Sequence, residues 1–348
     1  MNETRRVKWL LVGAGDIARS RVAAALSGAA NSEIAGIYGR SVGNAERLAE
    51  KWGCPRVYHD YAQALRESGA DAVYIATPHH VHVPMALQAL DAGKHFLAEK
   101  PLGVNAAECE KLLDASKSHP ELVVSCSNYR LFSNQFRETR RLIEGGELGA
   151  LVCGWAQDEE PYYNPSNAPL LVKDGMSPIL GFGFYLVNMA QAIFGLPEAV
   201  MAMTASFNCA KKEPFDIDDV ENVILRFPGG RMFTLHLNMA SVAPLRHAYE
   251  FEFEYGRLLW PACPPHFNAP IEIVKWGGGD KIEASVTPAS NGAEKPNWHL
   301  PMVQDFVNCV LSGGVPVCTL ESAVRTAEIT EAILRSAAEG RVVTPVYR

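Results

Sequence analysis

Residues 98–103, AEKPLG, set a carboxylate, an ammonium and a proline in a row behind the apolar run HFLA. A charged Lys at the end of a buried strand is costly unless it is paired or used. Pro101 cannot continue a central ladder, because it has no N–H to give. Lys100 is therefore a candidate for work on a ligand, with Glu99 beside it. A second cluster is GAGDIA, where Gly13, Gly15, Asp16 and Ile17 follow the apolar run VKWLLV and Ala18 stands where a third glycine is common. The first glycine makes a tight turn, and the second lets backbone N–H groups approach a pyrophosphate. A small third residue lets the helix pack on the strand. The N-terminus of that helix then faces the anion. A dinucleotide is the expected ligand. Further on, YGRS has no Asp or Glu to take the hydroxyls of an adenosine ribose. Gly39 leaves room there, and Arg40 and Ser41 offer a guanidinium and a hydroxyl. Arg at this point pairs with a 2′-phosphate, which favours NADP, with NAD as the alternative.

These residues need elements to hold them. Short apolar runs bounded by Gly or Pro (VKWLLVGAG, EIAGIYGRS, DAVYIATP, HFLAEKP, LVVSCSNYR) alternate with helix-spaced stretches (DIARSRVAAALSG, NAERLAEKWG, HVPMALQALDAG, NAAECEKLLDASK). That alternation predicts βαβ units and a parallel sheet. After it, the apolar segment SPILGFGFYLVNMAQAIFG reads as one buried helix. A series of strands follows, among them VENVILRFP, RMFTLHLNMA and the strictly alternating EFEFEY. Two helices close the chain, with Thr319 as an N-cap and Gly340 as a stop. The expected fold is α/β: an N-terminal Rossmann domain with a doubly wound parallel sheet, residues 1–128, then a C-terminal α+β domain with an open, mainly antiparallel sheet, 129–348. The terminal helices are expected to pack back on the first domain.

The bulk numbers agree with a globular protein of two cores: 348 residues, 48% hydrophobic, formal net charge −7. The acidity argues against a nucleic-acid surface. Eight scattered Cys without a C-x-x-C pair predict reduced thiols and a cytoplasmic protein. The N-terminal apolar run is too short for a leader, and no run of 18 apolar residues predicts a membrane span.

The order of domains, GAGDIA and AEKP together resemble the glucose–fructose oxidoreductase/inositol dehydrogenase family (Gfo/Idh/MocA). So do ATPHHVHVPMALQALDAGKHFLAEKPLG, NYRLF and the terminal helices. The resemblance implies that Lys100 stands beside the nicotinamide ribose and hydrogen-bonds the substrate oxygen, that Glu99 holds loop or cofactor, and that the Lys100–Pro101 bond is cis. It places the loop Thr77–Pro78 to His82 against the nicotinamide and Arg130, with Tyr129, near the cofactor. In its second domain the family commonly carries Asp-x-Gly-x-His, with Tyr for His in some branches. Here GFGFYLVN puts Gly183 at the central glycine, Tyr185 at the His/Tyr position and Gly181 where Asp is expected. A phenol beside an ammonium can pass a proton while hydride moves at carbon. Lys100 and Tyr185 are thus the expected catalytic pair.

Other charged stretches read more plainly. Asp158, Glu159, Glu160 and Asp174 read as solvated loop charges before that helix, with a place at the pocket mouth as the alternative. Asp216, Asp218, Asp219 and Glu221 in FDIDDVE read as a solvated turn, since the rest of a calcium loop is missing. His79, His80 and His82 lack a convincing ligand pattern, and no metal is expected. Trp298 and His299 precede a helix, with reach to the site as a weaker reading. The expectation is an NADP-dependent oxidoreductase acting on a sugar, cyclitol or polyol, or its keto form. The alternatives are a non-catalytic NADP- and sugar-binding sensor, favoured by Gly181, and a glycosidase using tightly held NAD. RMFTLHLNMA carries more apolar residues than one buried face requires, which predicts a homodimer or homotetramer through the C-terminal sheet.

Overall fold

The structure, a computed structural model, describes residues 5–159, 177–207, 218–241, 246–263, 270–277, 280–286 and 297–348. Glu160, Asp174 and Asp216 lie outside the described residues. The chain divides into two compact units, Met1–Phe132 with Glu294–Ala327, and Ser133–Ala293 with Glu328–Arg348.

In the first unit the elements run β1 (Val7–Val12), α1 (Ala23–Gly28), β2 (Ser32–Tyr38), α2 (Val42–Trp52), β3 (Val57–Tyr58), α3 (Tyr61–Glu67), β4 (Ala72–Ile75), α4 (His82–Asp91), β5 (His95–Ala98), α5 (Ala106–Ser116) and β6 (Val124–Cys126). The sheet order is β3-β2-β1-β4-β5-β6, parallel throughout. The order reverses between β1 and β4, so the crevice of such a sheet lies at the carboxyl ends of these two strands. β3 and α3 were not anticipated from sequence; a two-residue strand leaves no period to read. Two of these helices begin at a capping side chain. Asn105 accepts from the Glu108 amide (2.8 Å) before α5, and Asp60 accepts from the Gln63 amide before α3. Trp9 anchors the core: its ring lies 5.1 Å from Phe306 and 6.2 Å from Tyr74, and its Nε1 donates to Ser32 Oγ at 3.0 Å.

The second unit contains α6 (Asn134–Gly145), β7 (Leu151–Glu159), α7 (Phe184–Phe194), β8 (Ala199–Ala205), β9 (Val220–Arg226), β10 (Met232–Asn238), β11 (Arg246–Phe253), β12 (Gly256–Cys263), β13 (Ile271–Gly277) and β14 (Asp280–Val286). The strand order is β14-β13-β12-β11-β7-β10-β9-β8. The sheet is antiparallel except that β7 and β10 run parallel. Period-2 alternation sends Val223, Leu225, Phe233, Leu235, Leu237 and Phe251 to one buried face. The apolar α7 covers that face, with Phe194 5.1 Å from Phe227 and 5.3 Å from Phe233. Met203, Ile224 and Met232 stand exposed. α6 was not anticipated either, because it is laced with charge; Ser133 caps it through the Phe136 amide (3.1 Å).

The chain closes with α8 (His299–Ser312) and α9 (Leu320–Glu339). Thr319 Oγ1 accepts from the Ser322 amide (2.9 Å), and Gly340 ends α9 at φ +64°. Both are the residues the sequence singled out for these tasks.

Candidate functional site

The carboxyl edge of the six-stranded sheet is shaped by glycine. Gly13 has φ +109°, and a Cβ there would lie 2.3 Å from the Ala76 carbonyl oxygen. No other residue fits that turn. Its amide donates to Tyr38 O (2.8 Å), which ties the loop to the end of β2. A Cβ on Gly39 would meet Ala45 at 2.9 Å and Ala14 at 3.4 Å, whereas nothing lies within 4 Å of one on Gly15. That open backbone beside a locked turn fits the close approach of a pyrophosphate. Ala18 is buried, and Asp16 and Ile17 are exposed, with Asp16 3.3 Å from Arg19. Arg40 is exposed one residue beyond Gly39. Ser41 is the N-cap of α2, yet its hydroxyl makes no capping bond to that helix. Thr77 and Pro78 follow β4 on the same edge.

Lys100 is half-buried two residues past β5, and the Lys100–Pro101 bond is cis. Glu99 is buried beneath it in a set of donors. Tyr74 Oη donates to Glu99 Oε1 at 2.7 Å, and His299 Nε2, from the start of α8, lies 3.2 Å from the same oxygen. The Lys100 amide donates to Oε2 at 3.3 Å. Burial pushes the carboxyl up, but His299, Tyr74 and the Lys100 charge overcome it and hold the pKa at about 2. The His299 ring lies 4.9 Å from Tyr129, and its buried Nδ1 has no hydrogen-bond partner among the described residues. Because Glu99 is held as the anion and can only accept, Nε2 carries the proton and donates to it.

His82 corrects an expectation. Its ring is buried, with Nδ1 2.8 Å from Pro101 O and Nε2 2.8 Å from Thr77 O. Burial pushes its pKa down despite these two carbonyls. Both nitrogens face backbone carbonyls, and a neutral ring donates to one of them, so His82 lies between the Thr77 loop and the Pro101 turn with its polar atoms directed to the backbone. Arg130 is buried as well, with its amide on Asn128 Oδ1 at 3.2 Å.

In the second unit Tyr185 is buried near the start of α7, directly after a π-helical turn, Ile179–Gly183. A Cβ on Gly183 would lie 2.5 Å from Ile179 Cδ1 and 3.0 Å from Leu237 Cδ1, so this turn rests on β10. Leu237 pairs with Asp158 on one side and Glu221 on the other, and Asp158 pairs with His247. One row across the sheet, under the start of the Tyr185 helix, therefore carries Glu221, Leu237, Asp158 and His247.

Three expectations change here. Asp158 and Glu159 are strand residues of β7, and Asp158 is fully buried with Oδ1 2.6 Å from His247 Nδ1. Asp219 is buried and accepts from the Phe207 amide at 2.8 Å. Glu221 is buried on β9, beside the Ile179 amide and the Ser177 hydroxyl, without a well-formed hydrogen bond to either. Burial first, then the Asp218 charge, pushes its pKa up to about 8. For Asp158 and Glu221 the period-2 pattern of the strand outweighs the polarity of the residue.

Sequence reasoning passed over Tyr74 and His247 and ranked His299 low. His247 had a usable signal, since HAYEFEFEY puts it on the face of Tyr249 and Phe251. His299 had none: it meets Glu99 across 200 residues of chain. A depression of about 670 Å³ lined by Arg6, Lys8, Glu33 and Arg56 lies at the amino ends of β1 and β2, the wrong edge for this chemistry.

Comparison with known proteins follows the same division. Residues 7–126 match the model of an oxidoreductase family with an NAD-binding Rossmann fold, and 136–259 match the GFO/IDH/MocA C-terminal domain. The chain belongs to the GFO/IDH/MocA oxidoreductase family. An uncharacterized oxidoreductase of Rhizobium meliloti is 27% identical over 96% of this chain and 98% of its own. The trans-1,2-dihydrobenzene-1,2-diol dehydrogenase of Mus musculus is 30% identical over 68% of this chain and 70% of its own. Levoglucosan dehydrogenase, solved with NADH and L-sorbose, has the same fold, with a TM-score of 0.88 over 99% of this chain and 100% of its own at 18% identity. As a GFO/IDH/MocA member the chain is an oxidoreductase with an NAD-binding domain and relatives that are sugar or polyol dehydrogenases. Among the described residues no helix is long and apolar enough to cross a membrane, and no cluster of His, Cys, Asp and Glu is arranged to hold a metal.

Proposed function

We propose that the protein is an NADP-dependent dehydrogenase that oxidises a carbinol of a sugar, cyclitol or polyol, or reduces the matching ketone. The observation that carries this reading is the carboxyl edge of the six-stranded sheet. Gly13 after β1, Arg40 and Ser41 after β2, Thr77 after β4 and Lys100 after β5 follow four adjacent strands. The open backbone at Gly15 and the locked turn at Gly13 suit a dinucleotide, held by Gly13, Gly15, Asp16, Ile17, Thr77 and Pro78. A nicotinamide bound there would supply hydride transfer. Arg40 and Ser41 take the 2′-phosphate, since no carboxylate follows β2 to receive ribose hydroxyls. Lys100 supplies positive charge to the substrate oxygen as alkoxide develops, and Tyr185 moves its proton. The exposed Met203, Ile224 and Met232 favour assembly of the protein through its second sheet.

Titration of cofactor-stripped protein with NADPH and NADH, read by fluorescence, tests the cofactor assignment. NADPH is expected to bind at least tenfold more tightly (about 1.4 kcal/mol), and Arg40→Ala is expected to erase the difference. Tighter NADH binding would move the reading to NAD. Gly181, without a side chain where an Asp is common, favours the rival reading of a sensor. Absorbance change at 340 nm on adding sugar with free cofactor separates the two: a sensor binds and turns nothing over.

A further inference from the structure

Lys100 follows β5 and the glycine loop follows β1, with β4 between them, so their backbones stand roughly 10 Å apart at the sheet edge. A charge that meets a developing alkoxide must keep its place beside the hydride donor to within about 0.5 Å. Two loops on separate strands do not hold such a register unaided. The segment that opens α8 spans them. Asn297 Nδ2 donates to the Arg21 carbonyl at 2.8 Å, and Arg21 lies in the π turn Ala18–Val22 that starts the helix after the glycine loop. Asn297 Oδ1 accepts from the His299 amide at 3.0 Å, one of the orphan N–H groups at the start of α8. His299 Nε2 donates to Glu99 Oε1 at 3.2 Å, and Glu99 Oε2 accepts from the Lys100 amide at 3.3 Å. Tyr74, fully buried on the intervening β4, donates to the same carboxylate at 2.7 Å. Hydrogen bonds thus run without a gap from the helix behind the glycine loop to the Lys100 backbone, all within the first unit. Stability alone does not call for this arrangement, because an apolar residue of like volume would not carry the solvation cost of a buried carboxylate. What a satisfied buried network supplies is a single geometry.

We propose that Asn297 and His299 are positioning residues of the reaction, which register the Lys100 turn against the helix behind the glycine loop. The ammonium and the hydride donor are then aligned by the protein before substrate arrives. This rests on the reading of Lys100 as the residue that meets the substrate oxygen and of the glycine loop as the dinucleotide site. His299 acts on Lys100 through Glu99, and Asn297 acts one step further back, through the His299 amide. A coupling follows. A ligand that orders the glycine loop and its helix also orders the Lys100 turn, even where it does not reach Lys100, and an ordered turn favours that ligand in return.

Hydrogen exchange of the Lys100 amide in the full-length protein, resolved by mass spectrometry, is the test. Asn297→Ala is expected to speed that exchange at least tenfold, and His299→Leu at least as much. His299→Gln, which keeps an N–H donor toward Glu99, is expected to stay within threefold of wild type. Unchanged exchange in β1 and β4 reports that each variant is folded. Adenosine 2′,5′-bisphosphate and ADP, which lack the nicotinamide, are then added in turn. The one that binds is expected to slow the Lys100 amide at least threefold in wild type and to leave it unchanged in Asn297→Ala. If Asn297→Ala frees the His299 amide alone, Asn297 is only a helix cap and the proposal is overturned. Equal slowing by the ligand in both proteins would overturn it too. Binding of neither nucleotide would overturn the dinucleotide reading, and the ligand-free rates would still decide between these outcomes. Turnover of myo-inositol or D-glucose with NADP gives a second readout: Asn297→Ala should lower kcat at least tenfold with the KM for NADP within twofold, and a rise in that KM alone would count against positioning. Absence of turnover beside the expected exchange rates would overturn the dehydrogenase reading and leave the coupling standing.

Discussion

Glu99 and Glu221 are buried to nearly the same degree, one in each unit, and their carboxyls behave in opposite ways. Glu99 is held at about 2 and Glu221 is pushed up to about 8. Burial acts upward on both. The difference is in the donors: Glu99 has a Tyr hydroxyl, an imidazole and a backbone amide within 2.7–3.3 Å, with the Lys100 charge beside it. Glu221 has the charge of Asp218 nearby and a loosely placed amide and hydroxyl. A buried carboxyl is thus an anion or an acid according to what its neighbours donate.

The largest expected effect breaks the first of these settings. His299→Leu leaves the Glu99 anion without its imidazole, and should cost about 3–5 kcal/mol in urea unfolding at pH 7. A loss below 1 kcal/mol would mean that Tyr74 and the Lys100 amide suffice. The second setting has the opposite sign. A carboxyl raised in the fold stabilises below its unfolded value, near 4.5, and loses that contribution as pH rises through about 8. Glu221→Gln should therefore match the wild type at pH 5 and be more stable than it at pH 8, by a few kcal/mol. Unfolding curves that stay parallel between the two pH values would sink the assignment.

Tyr74→Phe is a finer probe of Glu99 and should cost about 1.5–3 kcal/mol, the worth of a hydrogen bond to a charged group. Glu99 stabilises above pH 4.5, and its contribution falls away as pH drops toward 2. The variant should flatten the stability profile over that window. The smallest effect concerns the turn over Leu237. Gly183→Ala pushes a methyl into Ile179 and Leu237, and should cost about 1–2 kcal/mol, because the Ile179 tip can move. Circular dichroism melts would report it, and an unchanged melting temperature would show that the π turn shifts freely.

Much of the first unit was legible. Gly13 could be assigned because only glycine tolerates its φ and its approach to Ala76, and that demand is written at one position. Thr319 and Gly340 were legible for the same reason, since caps are local chemistry. Polar residues in the second unit were misread. Asp158, Asp219 and Glu221 looked like solvated charges, and all three are buried. Residue type gives a prior for exposure, while the strand's alternation decides the face.

Sequence by itself determined most of the βαβ order of the first unit, the glycine turn after β1 and the candidacy of Lys100, because turns, caps and periodicity are set within a few residues. Tertiary structure decided that Glu99 is an anion, that His82 turns its polar atoms to the backbone and that Asp158 faces His247. Each of those depends on which distant backbone or side chain donates a hydrogen bond. His299 reaches Glu99 across 200 residues, and no local pattern encodes a meeting of that length.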